Sequence, residues 1–211
     1  MRIVTAPGGP VMTNTYVLAD DAGTALVIDP GYAPDELDAD LKKRGWHVAA
    51  IVATHGHFDH VAGIRRAKEL WDAPVWMHPD TVDVATHCAE HARWFGVVCP
   101  DCPPPDHTFA QGDTFTVGEL SFEVRDVSGH CPGSVALFTP GHVFTGDALF
   151  AGSIGRVDLP HSDAWQLMAN LREQLMTLPD DTIVYPGHGE TTTIGQERHH
   201  NPFRAEWEKR L

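Results

Sequence analysis

Short apolar-rich runs open the chain at residues 2–5, 13–18 and 25–28 and predict strands joined by turns, with Asp21-Ala22-Gly23 as a hairpin signal. The period then changes. Residues 34–44 place Leu37 and Leu41 four apart, on one face of a predicted helix. Residues 49–53 (Ala-Ala-Ile-Val-Ala) are apolar without interruption, which suits a strand buried on both faces. That run stops at Thr54-His55-Gly56-His57-Phe58-Asp59-His60, and a helical stretch is predicted over 61–70. A strand at 75–77, a helix around 81–95 and a loop rich in proline (Pro100, Pro103, Pro104, Pro105) follow. Residues 114–117 and 121–127 alternate apolar and polar about Gly118-Glu119, a hairpin pattern. A second pair, 134–139 and 143–145, flanks Pro140-Gly141. Residues 163–178 read as helix, 182–185 as strand, and the stretch from about Glu197 onward as helix interrupted at Asn201-Pro202. Strands with helices interspersed in both halves predict an α+β protein of two packed sheets with helices outside. Strand order is not legible at this level.

Length and composition narrow the class. A chain of 211 residues without repeat or linker predicts a single domain over 1–211, and its 42% hydrophobic share is ordinary for a globular protein. No apolar run approaches the ~18–20 residues that span a bilayer, so no membrane partner is expected. The opening Met1-Arg2-Ile3-Val4-Thr5-Ala6-Pro7 lacks a long apolar segment, so a cytoplasmic location is expected. The formal charge of −14, from 29 acidic and 15 basic residues, repels a phosphate backbone and argues against nucleic acid. Histidine is over-represented: the chain has 14, several beside Gly, Asp or Thr. The four cysteines read as thiols or metal ligands rather than a disulfide framework.

The strongest chemical signal is His55-x-His57-x-Asp59-His60 at the end of the buried strand. Imidazole and carboxylate are ligands for Zn²⁺ and other first-row divalent metals. Four of them within six residues allow His55 and His57 to serve one ion and Asp59 and His60 a second. A histidine-rich surface loop, with Asp59 capping the next helix, is the plainer alternative. Three more positions share the pattern of a His or Asp beside Gly near the end of an apolar run: His130 in Ser128-Gly129-His130-Cys131-Pro132-Gly133, Asp147 after Val143-Phe144-Thr145-Gly146, and His188 in Tyr185-Pro186-Gly187-His188-Gly189. Each alone reads equally well as a turn residue; together they complete a two-metal set.

That ordered set, from residue 55 to residue 188, resembles the metallo-β-lactamase superfamily. The resemblance implies a four-layer αββα sandwich with the site at one edge of the sheets. It also implies a first metal on His55, His57 and His130, a second on Asp59, His60 and His188, and Asp147 between them. Two divalent ions follow, zinc first, with iron or manganese as substitutes. Gly146-Asp147-Ala148-Leu149-Phe150, Gly152-Ser153-Ile154-Gly155-Arg156-Val157-Asp158 and Pro186-Gly187-His188-Gly189 are similar to glyoxalase II-type hydrolases, in their compact bacterial branch. So are Thr193-Ile194-Gly195-Gln196-Glu197-Arg198 and Asn201-Pro202-Phe203.

That branch implies hydrolysis of a small-molecule thioester of the S-2-hydroxyacylglutathione type. Paired ions would lower the pKa of a shared water, and the hydroxide would attack the carbonyl. Asp59 would orient it, and the thiolate would leave without a strong general acid. Arg156 and Asp158 are expected to pair and hold the loop. Long glyoxalase II enzymes add a basic C-terminal region for the glutathione carboxylates; only 23 residues follow His188, so the thiol stays open.

Three rivals remain: a mononuclear iron persulfide dioxygenase using His55, His130 and Asp147, a lactone hydrolase, and a non-catalytic metal-binding module. A nuclease is disfavoured by the charge. Oligomeric state is not legible. His87, Cys88 and His91 with Cys99-Pro100-Asp101-Cys102 read as an ordinary loop, a structural zinc site or a redox pair. Cys131 reads as a small buried residue or an oxidation sensor. His47, His78, His107, His142, His161, His199 and His200 are expected at the surface or in the core, and Trp165, Trp207 and Phe203 in the core.

Overall fold

The computed structural model describes residues 1–32 and 34–208. Its first sheet contains β1 (Arg2–Gly8), β2 (Thr13–Ala19), β3 (Thr24–Ile28), β4 (His47–Val52), β5 (Val75–Met77) and β6 (His107–Thr108), adjacent in that order. β1 to β3 are antiparallel neighbours, and β3 to β6 run parallel. Parallel neighbours need crossovers. The first is helix α1 (Pro34–Arg44); the second is α2 (Phe58–Val61) with α3 (Ile64–Trp71). Helices α4 (Val82–Thr86) and α5 (Cys88–Trp94) lie between β5 and β6.

The second sheet begins with the antiparallel run β7 (Thr114–Val117), β8 (Leu120–Asp126), β9 (Val135–Thr139) and β10 (His142–Gly146). A small ribbon of β11 (Leu149–Phe150) and β12 (Ser153–Ile154) follows, then α6 (Ala164–Asn170). β13 (Ile183–Pro186) joins β10 in parallel, and β14 (Thr192–Thr193) closes that edge. Helices α7 (Ile194–His200) and α8 (Arg204–Glu208) complete the described chain; residues 209–211, the end of the last predicted helix, lie outside it.

Three cores separate four layers. Val48, Ile51 and Ala53 pack with Leu37, Leu41, Ile64 and Ala67 of α1 and α3. Ala50 and Val52 point the other way, to Phe122, Val124 and Phe144 of the second sheet. Val143 and Val184 pack beneath Leu167, Leu171 and Trp207. The β4 segment is thus buried on both faces, as its unbroken apolar run predicts, and helix–sheet–sheet–helix is the αββα arrangement.

Several predicted helices are broken. Residues 61–70 divide at Ala62-Gly63, where Gly63 lies against the Pro30 carbonyl and a methyl would overlap that oxygen. The 81–95 helix breaks at His87, whose backbone leaves the helical region. Residues 163–178 pass from α6 into one wide π-helical turn at Leu171–Leu175. The two-residue strands β6, β11, β12 and β14 carry too few positions for a period to be read.

The sheets are tied at one end. Tyr16 Oη donates to the Pro186 carbonyl at 2.6 Å, Asn14 Nδ2 donates to Pro186 and Gly189 at 3.0 Å, and Asn14 N donates to Gly187 O at 2.7 Å. Val135 N donates to Thr54 O at 2.9 Å. These bonds bring the ends of β2, β4, β9 and β13 to one place.

Candidate metal centre

All seven sequence-predicted ligands meet at that place. His55 and His57 lie in the loop after β4, and Asp59 and His60 on α2. His130 lies between β8 and β9, Asp147 directly after β10, and His188 directly after β13. Three triads have donor atoms within 4.8 Å of one another: His55, His57 and His130; His55, His60 and Asp147; Asp59, His60 and His188. Asp147 occupies the middle. Its Oδ1 is 3.3 Å from His60 Nε2, and its Oδ2 is 3.4 Å from His188 Nε2 and 3.6 Å from His130 Nε2.

Gly187 makes room for this arrangement. A methyl there would overlap Asp147 Oδ1 and come within 2.7 Å of His60 Cε1.

Surrounding groups orient the imidazoles. His60 Nδ1 lies 2.8 Å from Asp29 Oδ2, His130 Nδ1 2.8 Å from the Arg156 carbonyl, and His188 Nδ1 3.1 Å from the Val11 carbonyl. Thr54 Oγ1 lies 3.1 Å from His55 Nδ1. A nitrogen occupied in this way leaves Nε2 as the inward ligand atom. His57 instead presents Nδ1, 3.0 Å from His130 Nε2. Thr13 Oγ1 donates to Asp59 Oδ2 at 2.7 Å.

The donor set fits divalent cations on a physical criterion. Buried polar atoms almost always have partners. His55 Nε2 is buried with no hydrogen-bond partner; His60 Nε2 and Asp147 Oδ1 are buried too, make no formed hydrogen bond and only approach each other at 3.3 Å, and all three face the same point.

The electrostatics agree. Burial, then the neighbouring imidazoles His60 and His57, hold His55 well below the usual imidazole range. Burial and His130 push His57 down to about 3. Neutral imidazole is the form that ligates. Burial opposes ionisation of Asp59 and Asp147, yet the adjacent His60 outweighs it and both carboxyls stay well below their usual range. Burial likewise opposes charge on His60 and His188, but Asp59 and Asp147 overcome it, raising His188 to about 10 and His60 well above its ordinary value. Ionised carboxylates that favour positive charge on these imidazoles would favour a divalent cation between them instead.

Sequence reasoning missed Asp29. It is buried directly after β3, with φ of 52°, and its Oδ1 accepts from Thr54 N at 2.7 Å while its Oδ2 accepts from Thr54 Oγ1 at 2.6 Å. It therefore holds both the His55 loop and His60. Its signal was the one that marked the ligands, an acid at the end of an apolar strand next to Pro30-Gly31. Asp29→Asn should weaken metal retention at the His60 side by about 10- to 100-fold, the usual scale for such partners. Titration with a competing chelator reads this; unchanged retention would make Asp29 a loop brace only.

The remaining candidates divide. Arg156 and Asp158 do pair, at 2.9 and 3.0 Å, while the Arg156 carbonyl holds His130. Cys131 is buried, its Sγ 3.7 Å from Thr81 Oγ1, and burial raises its thiol. His87, His91, Cys99 and Cys102 do not converge: among the described residues no group of three ligand atoms forms there. Burial raises the Cys88 and Cys102 thiols to about 12, far from a reactive thiolate. Trp207 is core, but Trp165 is 71% exposed and Phe203 is also exposed. His91 and His161, neither expected at the site, line the cavity in front of it, which has a volume of about 300 Å³.

Three linked triads of His and Asp where the ends of two packed sheets meet define a metal-dependent protein of the αββα class. Residues 8–188 match the model of the metallo-beta-lactamase superfamily, and the chain belongs to that superfamily, whose members bind divalent metals. Hydroxyacylglutathione hydrolase GloC of Haemophilus influenzae is 33% identical, over 96% of this chain and 98% of that protein. Among solved structures, TTHA1623 in a di-iron-bound form is 39% identical with a TM-score of 0.88, over 95% of this chain and 99% of that one. The BLEG-1 B3 metallo-beta-lactamase is 36% identical with a TM-score of 0.88, over 96% and 99%. ETHE1 from Myxococcus xanthus is 29% identical with a TM-score of 0.78, over 98% and 85%. Among the described residues no helix is long and apolar enough to cross a membrane.

Proposed function

We propose that this chain is a binuclear metal-dependent hydrolase that cleaves a thioester of a 2-hydroxy acid. The observation that carries the reading is the set of three buried ligand atoms without hydrogen bonds, His55 Nε2, His60 Nε2 and Asp147 Oδ1, of which Asp147 lines the cavity together with His57, Asp59, His130 and His188. His55, His57 and His130 would hold one ion, and Asp59, His60 and His188 the other, with Asp147 between. Bound ions of this kind supply Lewis-acid polarisation of a carbonyl and a water acidified toward neutral pH.

The chain's own groups do the rest. Asp59 Oδ2 is engaged by Thr13, so Oδ1 takes the role of holding a proton of the attacking water. Asp29, Thr54 and the carbonyls of Val11 and Arg156 keep the imidazoles in register. A thiol leaving group has a pKa near ~8.5 and departs as thiolate, so no strong acid on the leaving side is required. The likeness to a hydroxyacylglutathione hydrolase supports the thioester.

The likeness to ETHE1 supports the second reading, an iron persulfide dioxygenase served by His55, His130 and Asp147. Against it, the Asp59, His60 and His188 triad is complete and tightly clustered. Elemental analysis of protein purified without added metal or chelator separates them. About two equivalents of zinc, iron or manganese are expected, with thioester turnover abolished by chelation and restored by metal. One equivalent of iron and oxygen uptake with a persulfide would sink the hydrolase.

A further inference from the structure

Apart from His91, Arg156 and His161, the walls of the cavity above the metal centre are apolar, and the apolar surface continues onto its rim. Val11 comes from the turn between β1 and β2, Trp94 and Phe95 from the end of α5, and Leu159 and Pro160 from the segment after the Arg156–Asp158 pair. Phe150 closes the floor beside His188, with ring centroids 6.1 Å apart. Val11 is 43% exposed, Trp94 59% and Phe95 48%, so two segments distant in sequence present large apolar groups to solvent around one opening. Convergent exposed apolar surface of this kind marks a binding site rather than scattered surface residues.

Charge at the opening tells the same story. Among the described residues Arg156 is the one side chain of fixed positive charge that lines the cavity, beside the imidazoles of His91 and His161, and its Nε and Nη2 already lie on the two Asp158 oxygens at 2.9 and 3.0 Å. The chain as a whole carries −14. A glutathione thioester brings two carboxylates, and a carboxylate placed against apolar groups without a cation loses hydration with no return. A neutral aryl or alkyl group would instead bury against Trp94, Phe95 and Leu159, at about 25 cal/mol for each Å² of apolar surface removed from water.

We infer that the substrate carries an uncharged apolar group beyond its scissile carbonyl, and that a thiol with free carboxylates is the poorer partner. This rests on the thioester reading above and names the class of thiol it takes. The cavity holds a compound of this size: about 300 Å³ is at the lower end of small-molecule sites.

The test measures binding apart from turnover. Acetonyl thioethers, CH₃–CO–CH₂–S–R, keep a carbonyl near sulfur but cannot be hydrolysed. Calorimetry on the metal-loaded chain would compare R as benzyl, as glutathionyl, and as glutathionyl with both carboxylates esterified. The benzyl and diester compounds are expected to bind at least tenfold tighter than free glutathionyl. Trp94→Ala and Phe95→Ala, both at exposed positions, should shrink the benzyl advantage severalfold without moving the melting temperature. A gap below tenfold, or glutathionyl binding tightest, overturns the inference. The matching thioesters are then assayed for cleavage. If none is cleaved while the binding order holds, the thioester reading fails and the apolar selectivity stands.

Discussion

Asp147→Ala is expected to lower turnover about a thousandfold and to leave the protein with one metal equivalent or less. The argument starts from position. Asp147 follows β10 directly, and its two oxygens lie 3.3–3.6 Å from the Nε2 atoms of His60, His130 and His188, which belong to both ligand triads. Removing it takes one negative charge from between two sites at once. It also leaves His55 Nε2 and His60 Nε2, already without hydrogen-bond partners, facing a smaller and more neutral space. A site that loses its shared carboxylate loses several kcal/mol of stabilisation for charge that develops on the substrate, and about 4 kcal/mol corresponds to a thousandfold in rate. Asp147→Asn keeps the volume but not the charge, and should fall nearly as far. Elemental analysis and kcat on both variants read the effect, with thermal melting of the metal-free forms as the check that folding survives. Two retained ions with more than a tenth of the turnover would show that Asp147 does not join the sites.

How much of this centre could be read in advance depends on the kind of information each residue carries. His55, His57, Asp59 and His60 were legible because four ligand-type side chains crowd one loop after an apolar strand, a density that surface loops seldom reach. His130, Asp147 and His188 became legible only as a set. Asp29 was not, since a lone acid before Pro30-Gly31 is an ordinary strand-to-loop residue until His60 and Thr54 are seen to meet it. Two packed sheets with helices outside were legible in the apolar pattern and the four-layer αββα order only in the family resemblance, but strand order was legible in neither. The parallel pairing of β10 with β13 joins segments some forty residues apart, and nothing local records which edge a returning strand will take. Helix boundaries were not legible either: Gly63 keeps right-handed helical angles at the junction of α2 and α3, and nothing in the sequence marks that division. Likewise the apolar rim is invisible in a hydropathy profile, because Val11, Phe95 and Leu159 are distant in sequence and meet only at the opening.

Gly31→Ala should lower the melting temperature by about 10 °C and weaken the metal centre with it. Gly31 follows the turn at Asp29-Pro30, where Gly31 N donates to Asp29 O at 2.8 Å. The backbone of α2 passes directly over it: an added methyl would overlap the Asp59 carbonyl oxygen and come within 2.7 Å of the Asp59 carbonyl carbon. Both are main-chain atoms, so no rotamer change relieves the overlap. Either the Asp29 turn or α2 must move, and Asp59 and His60 travel with the helix. Overpacking typically costs about 1–3 kcal/mol, and an overlap with main-chain atoms on both sides lies at the upper end, about 3 kcal/mol. For a chain of this length each kcal/mol shifts the melting point by about 2–4 °C. Gly141→Ala is the control. Its φ of 80° strains an alanine by about 1 kcal/mol, but a methyl there meets nothing within 4 Å. A clear gap between the two variants therefore isolates contact from backbone strain. Displacement of catalytic groups by about 1 Å costs on the order of a hundredfold in rate, so Gly31→Ala should lose activity well beyond its loss of stability, while Gly141→Ala should not. Melting of Gly31→Ala within 2 °C of the parent, with both ions retained, would mean that α2 yields easily and that the glycine is not what seats Asp59 and His60.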